Sequence, residues 1–165
     1  MIRYTMANLE DLIEKLATQE QRITFSHFTP ELGVEIGLAL YETARDQGAP
    51  IAIDVYAFDH VLFHLALPGA KPDNDRWIER KRAVTLRFHK SSFRVGRELE
   101  ATGKTIGERY YVDPRLFSAH GGSFPLTLVG GGVIGAATVS GLPQEDDHAL
   151  VVSILERFVQ KGFAQ

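Results

Sequence analysis

The chain has 165 residues, 44% of them hydrophobic and 24% charged, and its formal net charge is −3. These values are typical of one ordinary globular domain that is long enough to bury a core. The net charge argues against general nucleic-acid binding. The absence of cysteine excludes disulfides, thiolate metal ligands, cysteine nucleophiles and covalent c-type heme attachment.

Two further features of the chain indicate where it is found. No apolar stretch approaches the 18 uninterrupted residues that suggest a membrane span, and the N-terminal segment lacks the apolar core of a signal peptide. We therefore expect a single cytoplasmic domain over residues 1–165, with no membrane partner.

Apolar residues recur with helical and strand periods in turn along the chain. The elements that these periods predict are, in chain order, a helix over 8–19, a strand over 22–25, a helix over 30–47, strands over 51–58 and 61–67 around an Asp59-His60 turn, a long helix over 74–99, an irregular segment over 101–123, a glycine-containing hairpin over 125–139 and a helix over 144–161. This order is rich in hairpins and poor in crossovers. It predicts an α/β (α+β) fold in which helices pack on the faces of an antiparallel sheet of about five strands.

The hairpin segment contains a motif that resembles a nucleotide-binding loop. In VGGGVIGAATVSG, residues 129–141, the glycines Gly130, Gly132 and Gly135 have the G-x-G-x-x-G spacing. A dinucleotide loop continues into a helix, whereas residues 133–139 are β-branched at four of seven positions. We therefore predict that these glycines form a hairpin turn and that the protein binds no nucleotide cofactor.

Three other stretches resemble functional motifs only in part. Residues 102–105 (TGKT) end like a P-loop, but the first glycine of that motif would fall on Glu98. Residues 120–122 (HGG) resemble an oxyanion-hole loop, but the chain has no G-x-S-x-G. His60 and His64 on one strand would lie about 13 Å apart, too far to share a metal ion. We therefore predict no metal site.

Charge is concentrated on the long predicted helix. The basic residues there, eight of the 18 in the chain, are Arg76, Arg80, Lys81, Arg82, Arg87, Lys90, Arg94 and Arg97. Most are expected to form a solvated face paired with acids of the same helix. Lys81 instead lies on the apolar stripe between Trp77 and Val84, so it either extends its amine to water or closes a pocket or an interface. The acids at 145–147 suit the start of the last helix, and we expect a mainly structural role for them.

Three segments together resemble the GlcG/HbpS-like "heme-degrading" family, formerly a domain of unknown function. They are residues 80–85 (RKRAVT), 121–126 (GGSFPL) and 133–148, and the most specific pattern is GG-x-x-P…G-x-x-x-V-S-G…D. The similarity extends over about residues 51–158, and the chain looks most like a shorter, cytoplasmic, uncharacterised branch. This resemblance implies a profilin-like α/β fold and homo-oligomers built from dimers. In the family, heme binding and degradation belong to a secreted branch.

Two functions are compatible with these observations. The first is a protein that binds a small planar or anionic ligand, with heme as one candidate, and that has weak or no catalysis; no residue is assigned a catalytic role. Its expected site residues are Lys81 or Arg109 to meet carboxylates, Tyr110 or Tyr111 to stack, His120 as iron ligand or proton-transfer group, and the turns at Gly121, Gly122 and Ser140. The second is a non-catalytic homo-oligomeric protein-interaction module, in which residues 106–118 and the long helix form the interfaces.

Overall fold

The fold was analysed in a computed structural model, which describes residues 4–163. The helices and strands are, in chain order, α1 (Met6–Arg22), α2 (Pro30–Asp46), β1 (Ala52–Ala57), β2 (His60–Ala66), α3 (Pro72–Phe88), α4 (Ser92–Thr102), α5 (Ile106–Tyr110), β3 (Ser123–Leu128), β4 (Gly132–Ser140) and α6 (Gln144–Phe158), followed by a π-helical turn over Val159–Phe163. The predicted mixed α/β architecture is confirmed. No helix within residues 4–163 has the length and apolar character needed to cross a membrane.

The sheet has four antiparallel strands in the order β2-β1-β4-β3, so the expected count of about five is wrong. Of the segment predicted as a strand over 22–25, Arg22 is the last residue of α1 and Ile23 is its C-cap, whose N–H donates to the Gln19 carbonyl at 2.9 Å. Only Phe25 reaches the sheet, through a single bridge to Leu128. One bridging residue is too short a contact to count as a strand.

The helices cover both faces of the sheet. Alternate β1 side chains such as Ile53 and Val55 point into the main core, where α2 and α6 pack. The intervening residue Asp54 faces the other side, where it pairs with Arg82 of α3. Because successive strand residues point to opposite faces, β1 separates an apolar core from a second layer that contains charged groups.

The long helix predicted over 74–99 is two helices. α3 ends at Phe88, and His89 then adopts a left-handed conformation with φ 54°. α4 restarts after Ser91, whose side chain accepts a hydrogen bond from the backbone N–H of Arg94. The amide of Ser91 donates to the Glu20 carboxylate of α1 at 2.8 Å. The chain therefore turns at residues 89–91, and α4 packs against α1.

The glycine hairpin is confirmed, because β3 and β4 pair antiparallel on either side of residues 129–131. Gly130 and Gly132 have φ values of 71° and 81°, which side-chain-bearing residues rarely adopt. The other hairpin turns one residue earlier than predicted, at Phe58 and Asp59, with φ values of 54° and 59°. Positive φ at both positions is the geometry of the primed turns that join twisted strands.

The TGKT stretch joins two helices. Gly103 ends α4 in a left-handed conformation with φ 63°, and Thr105 begins α5 in a reciprocal capping arrangement with Glu108. α5 is a short helix inside the segment predicted to be irregular over 101–123. The side chain of Lys104 is exposed between the two caps, so the backbone amides here serve the helix ends and do not form a phosphate loop.

Candidate functional site

A cleft of about 250 Å³ lies where α3 meets the end of β4 and the start of α6; we call it the Lys81 cleft. Among the residues that line it are Trp77, Lys81, His120, Ser140, Gln144 and Asp147. Three of the predicted site residues therefore meet here, although they come from α3, the turn before β3 and the last residue of β4. The fold brings them together by packing α3 across β4 and β3.

Lys81 is held inside this cleft by a buried ion pair. Its Nζ donates to Asp147 Oδ2 at 2.9 Å and to the Val139 carbonyl at 3.2 Å, and the two side chains are only 4% and 1% exposed. Burial lowers the pKa of Lys81 and raises the pKa of Asp147, while their mutual attraction opposes both shifts. The Asp147 carboxylate also accepts the amides of Leu142 and Gly141. Lys81 therefore does not extend to water, and Asp147 is not one of the exposed acids of the first turn of α6.

The two glycines after His120 let the chain approach this ion pair. Gly122 has φ 131°, and a Cβ added there would lie 2.8 Å from Lys81 Nζ and 2.5 Å from the Val139 carbonyl oxygen. A Cβ added at Gly121 would collide with the backbone of Gln144. The N–H of Gly121 donates to the side chain of Gln144 at 3.1 Å. Both glycines thus have a packing role at the wall of the cleft.

His120 lies at the mouth of the Lys81 cleft. Its Nδ1 is 2.8 Å from Ser118 Oγ, and its ring packs edge-on against Trp77 with centroids 5.1 Å apart. The pKa of His120 is lowered below its usual 6.5. Partial burial is the largest cause, and the positive charges of Lys81, Arg80 and Arg97 add smaller contributions. The lowered pKa favours the neutral imidazole. When Nδ1–H donates to Ser118, Nε2 carries the free lone pair that an iron ligand or proton acceptor needs.

A second cleft, of about 380 Å³, adjoins the first between α3, α4 and the segment over 114–120; we call it the Arg97 cleft. Arg80, Arg97, Lys104, Phe117 and Ser118 are among its lining residues. Trp77, His120 and Gln144 line both clefts. The two clefts are thus the arms of one groove, with Trp77 and His120 at their junction.

The aromatic and basic residues predicted near 110 do not line this groove. Tyr110 packs its ring on Phe88 at a centroid distance of 4.5 Å and belongs to a small second core. The guanidinium of Arg109 is exposed and lies 5.7 Å from the Tyr110 ring. Tyr111 is 92% exposed and has the left-handed backbone that ends α5. Arg109, Tyr110 and Tyr111 are therefore not among the residues that line either cleft.

Sequence reasoning missed the residue at the centre of the groove, Trp77. It is the only tryptophan of the chain, and it precedes Lys81 by one helical turn, so both lie on the same face of α3. Its Nε1 donates to Asp73 at 3.1 Å, and Arg80 stacks on its ring at 4.1 Å. The spacing of four residues was the available signal. Asp147 could not have been paired with Lys81 in this way, because 66 residues separate them.

A separate charged cluster lies on the neighbouring face of α3. Arg82 donates to the buried Asp54 at 2.7 Å and lies 4.5 Å above the Tyr56 ring. His64 sits between Asp54 and Asp75, with its ring nitrogens 3.6 and 3.2 Å from their carboxylates. Burial raises the pKa of Asp54, and Arg82 counteracts that rise. Across residues 4–163, no group of three or more histidines and acids has the geometry to hold a metal ion.

Comparison with known proteins shows which family this chain resembles. A family model described as "Haem degrading protein HbpS-like" matches residues 28–156. A UPF0303 protein of Streptomyces coelicolor is 50% identical over 147 residues, which cover 89% of this chain and 93% of that protein. A UPF0303 protein of Edwardsiella ictaluri is 42% identical over 150 residues, covering 91% and 96% of the two chains.

Solved structures extend this similarity to three dimensions. The crystal structure of Ybr137w protein superposes with a TM-score of 0.84 at 31% identity and covers 98% of each chain. HbpS superposes with a TM-score of 0.64 at 19% identity, covering 81% of this chain and 90% of its own. A PduOC:heme complex has a TM-score of 0.62 at 15% identity, covering 73% and 87%. At these lower identities the likeness concerns the fold.

Proposed function

This chain belongs to the HbpS-like family of haem degrading proteins, and on that premise we propose that it binds a small planar, anionic ligand, with heme as the candidate, in the groove around Trp77 and His120. The observation that carries the proposal is the meeting of Lys81, His120 and Ser140 in one cleft. Three elements far apart in the chain supply these residues. Convergent polar groups in a concave site are the usual mark of a ligand pocket.

The donor set of the groove fits heme. His120 offers a neutral imidazole, and the described part of the chain provides no hydrogen-bond partner for its Nε2. Trp77 offers an aromatic ring beside it, and cations of the Arg97 cleft can meet acidic substituents. The fold similarity to a PduOC:heme complex supports the same ligand. Heme iron, when bound, would supply redox chemistry; the residues of this chain would bind and orient the ring, and Nε2 of His120 would either ligate the iron or, where it is not bound to iron, accept a proton.

A hemin titration tests this proposal. We expect the wild type to show a stoichiometric shift of the Soret band and His120→Ala to lose it. His60→Ala is the matched control, because His60 is an exposed histidine of the β1–β2 hairpin that lies outside both clefts. A shift that survives His120→Ala would refute the choice of ligand residue. No shift in the wild type would refute heme as the ligand.

A second candidate function is a non-catalytic homo-oligomeric interaction module. Exposed apolar side chains favour it: Tyr111 and Leu116 near the Arg97 cleft are 92% and 62% exposed, and Leu38 and Val61 on the β2 side are 46% and 53% exposed. Exposed apolar side chains of this size are candidates for burial against a second copy of the chain. Light scattering that finds a stable oligomer, together with no response to hemin, would favour this function; a monomer would refute it.

The cellular setting completes the proposal. The protein acts as a single domain over residues 1–165 in the cytoplasm, as a homo-oligomer built from dimers, without nucleotide, nucleic-acid or membrane partners. Its net charge of −3 and its lack of cysteine support this setting. Fractionation of cells that produce the tagged chain tests it, because recovery in the membrane pellet would contradict the cytoplasmic assignment.

A further inference from the structure

The Arg97 cleft carries an excess of positive charge that the Lys81 cleft does not. Arg80, Arg97 and Lys104 line it, and Glu100 is the one acid among its described lining residues. In the Lys81 cleft, by contrast, the amine of Lys81 is already neutralised by a buried carboxylate at 2.9 Å. The whole chain has a net charge of −3, so the positive excess is local to this arm of the groove.

Arg97 is the member of this set that is best placed to bind a ligand. Its side chain is only 11% exposed, and among the described residues Nη1 forms an ion pair with Glu100 at 3.2 Å, while the guanidinium lies over the Phe93 and Tyr4 rings at 5.1 and 5.6 Å. Its Nε is buried and has no hydrogen-bond partner among the described residues. Buried polar groups in folded proteins are almost always hydrogen bonded. Arg97 lines the cleft and contributes its positive charge there, and its buried Nε lacks the partner that such a group normally has.

Among the described residues, the other two cations form no ion pair within 4 Å, although the Glu108 carboxylate is close enough for Lys104 to lower its pKa. Arg80 stacks on Trp77 and donates to the Arg76 carbonyl at 3.4 Å, and no acid of the described chain lies within ion-pair distance of it. Lys104 is exposed between α4 and α5 and likewise forms no ion pair among those residues. Arg80 and Arg97 also contribute to the lowered pKa of His120 at the junction. The positive potential therefore extends to the middle of the groove.

From this arrangement we infer that the Arg97 cleft is the subsite for a carboxylate of the ligand, bound by Arg97 with Arg80 and Lys104, while the flat body of the ligand lies against Trp77 and His120. A guanidinium presents paired N–H donors that match a carboxylate. The inference rests on the proposed ligand-binding function. It assigns carboxylate recognition to this cleft and leaves Lys81 as the partner of a structural acid.

Two flat probes that differ only in charge test the inference. The indole N–H of Trp77, the only tryptophan, gives one reporter signal in ¹H–¹⁵N spectra. Titrations of the wild type with 2-naphthoate and 2-naphthamide should shift this signal. We expect the carboxylate to bind about tenfold more tightly than the amide, since charged hydrogen bonds are the stronger ones. Raising the salt concentration should weaken the binding of 2-naphthoate and leave the binding of 2-naphthamide unchanged.

Variants then show which residues cause the preference for the carboxylate over the amide. Arg97→Gln should reduce naphthoate affinity about tenfold, to that of the amide. Lys104→Gln should reduce it by a smaller factor, and its exposed position avoids any doubt about folding. The matched control is Arg76→Gln, an exposed arginine of α3 that lines neither cleft; it should leave both affinities unchanged.

The outcomes separate this inference from the proposed function. Equal binding of the two probes, or a preference that survives both Arg97→Gln and Lys104→Gln, would overturn the carboxylate subsite while leaving a flat-ligand site at Trp77. No shift with either probe would also overturn the subsite. The hemin titration with His120→Ala decides the proposed function independently, because it follows iron ligation and not the charge of the ligand.

Discussion

Replacement of His148 measures how much stability the protein gains by keeping a neutral imidazole in its core. The ring of His148 is 5% exposed and lies 4.9 Å from the Phe93 ring and 6.0 Å from the Phe124 ring. Its Nε2 is 3.0 Å from the side-chain oxygen of Gln19 on α1, and its Nδ1 has no partner among the described residues. Burial lowers the pKa of His148 from 6.5 to about 4.

The sign and size of the effect follow from this shift. At a pH between 4 and 6.5 the unfolded chain binds a proton at His148 that the folded chain does not, so stability falls as the pH decreases. The contribution is fully present above pH 6.5 and is lost progressively toward pH 4. Each pH unit in that interval is equivalent to about 1.4 kcal/mol. Protonation of His148 in the unfolded chain should therefore remove about 2 kcal/mol of unfolding free energy between pH 7.5 and pH 5.

Urea unfolding of the wild type and of His148→Gln at pH 7.5, 6.5, 5.5 and 5 measures this contribution. The variant should be less stable at pH 7.5, because it loses the ring contacts, but its stability should fall by about 2 kcal/mol less on acidification. His60→Gln, at an exposed position, is the control and should follow the wild type. The reasoning is refuted if His148→Gln and the wild type lose the same free energy between pH 6.5 and pH 5.

Of three further predictions, two use the same unfolding measurements and the third uses amide hydrogen exchange. Lys81→Met should lower the free energy of unfolding by about 3–5 kcal/mol, because it leaves Asp147 buried and unpaired. The double variant with Asp147→Leu should recover much of that loss. A loss below 1 kcal/mol for the single variant would contradict the buried pair. Gly122→Ala should destabilise more than Gly48→Ala, since both have positive φ but only Gly122 also lacks space for a Cβ; equal losses would argue against the close approach. Glu20→Gln should speed amide exchange in α1 without affecting α6, because the carboxylate ties α1 to the start of α4; unchanged exchange in α1 would refute that role.

Features set by neighbouring residues could be predicted from the sequence. Thr29 caps α2 by accepting the amide of Leu32, three residues away. The glycines of the β3–β4 hairpin adopt positive φ where a turn requires it. Caps and turns depend on conformational preferences that act within a few residues, so the sequence carries them directly. The family resemblance and the mixed α/β class were likewise predicted correctly.

Features set by long-range contacts could not be predicted from the sequence. The break between α3 and α4 is stabilised by Glu20, which accepts the amide of Ser91 from 71 residues away in the chain. The strand predicted over 22–25 is absent because α1 continues through Arg22 and only Phe25 then reaches β3. Hydrophobic periodicity reports which face of a segment is buried, but not whether a distant residue ends the segment.

The candidate site divides in the same way. The sequence by itself determined that Lys81 lies on the buried stripe of α3, one turn after Trp77, and that His120 precedes two glycines. Only the packing of α3 across β4 decided that Lys81 pairs with Asp147. Tertiary packing also decided that Arg97 and Arg80 line the same cleft as His120, whereas Arg109 lies outside it. Helical and strand periods define directions around one element. Which charged side chains share a cleft depends on how the elements pack, and that information belongs to the tertiary structure.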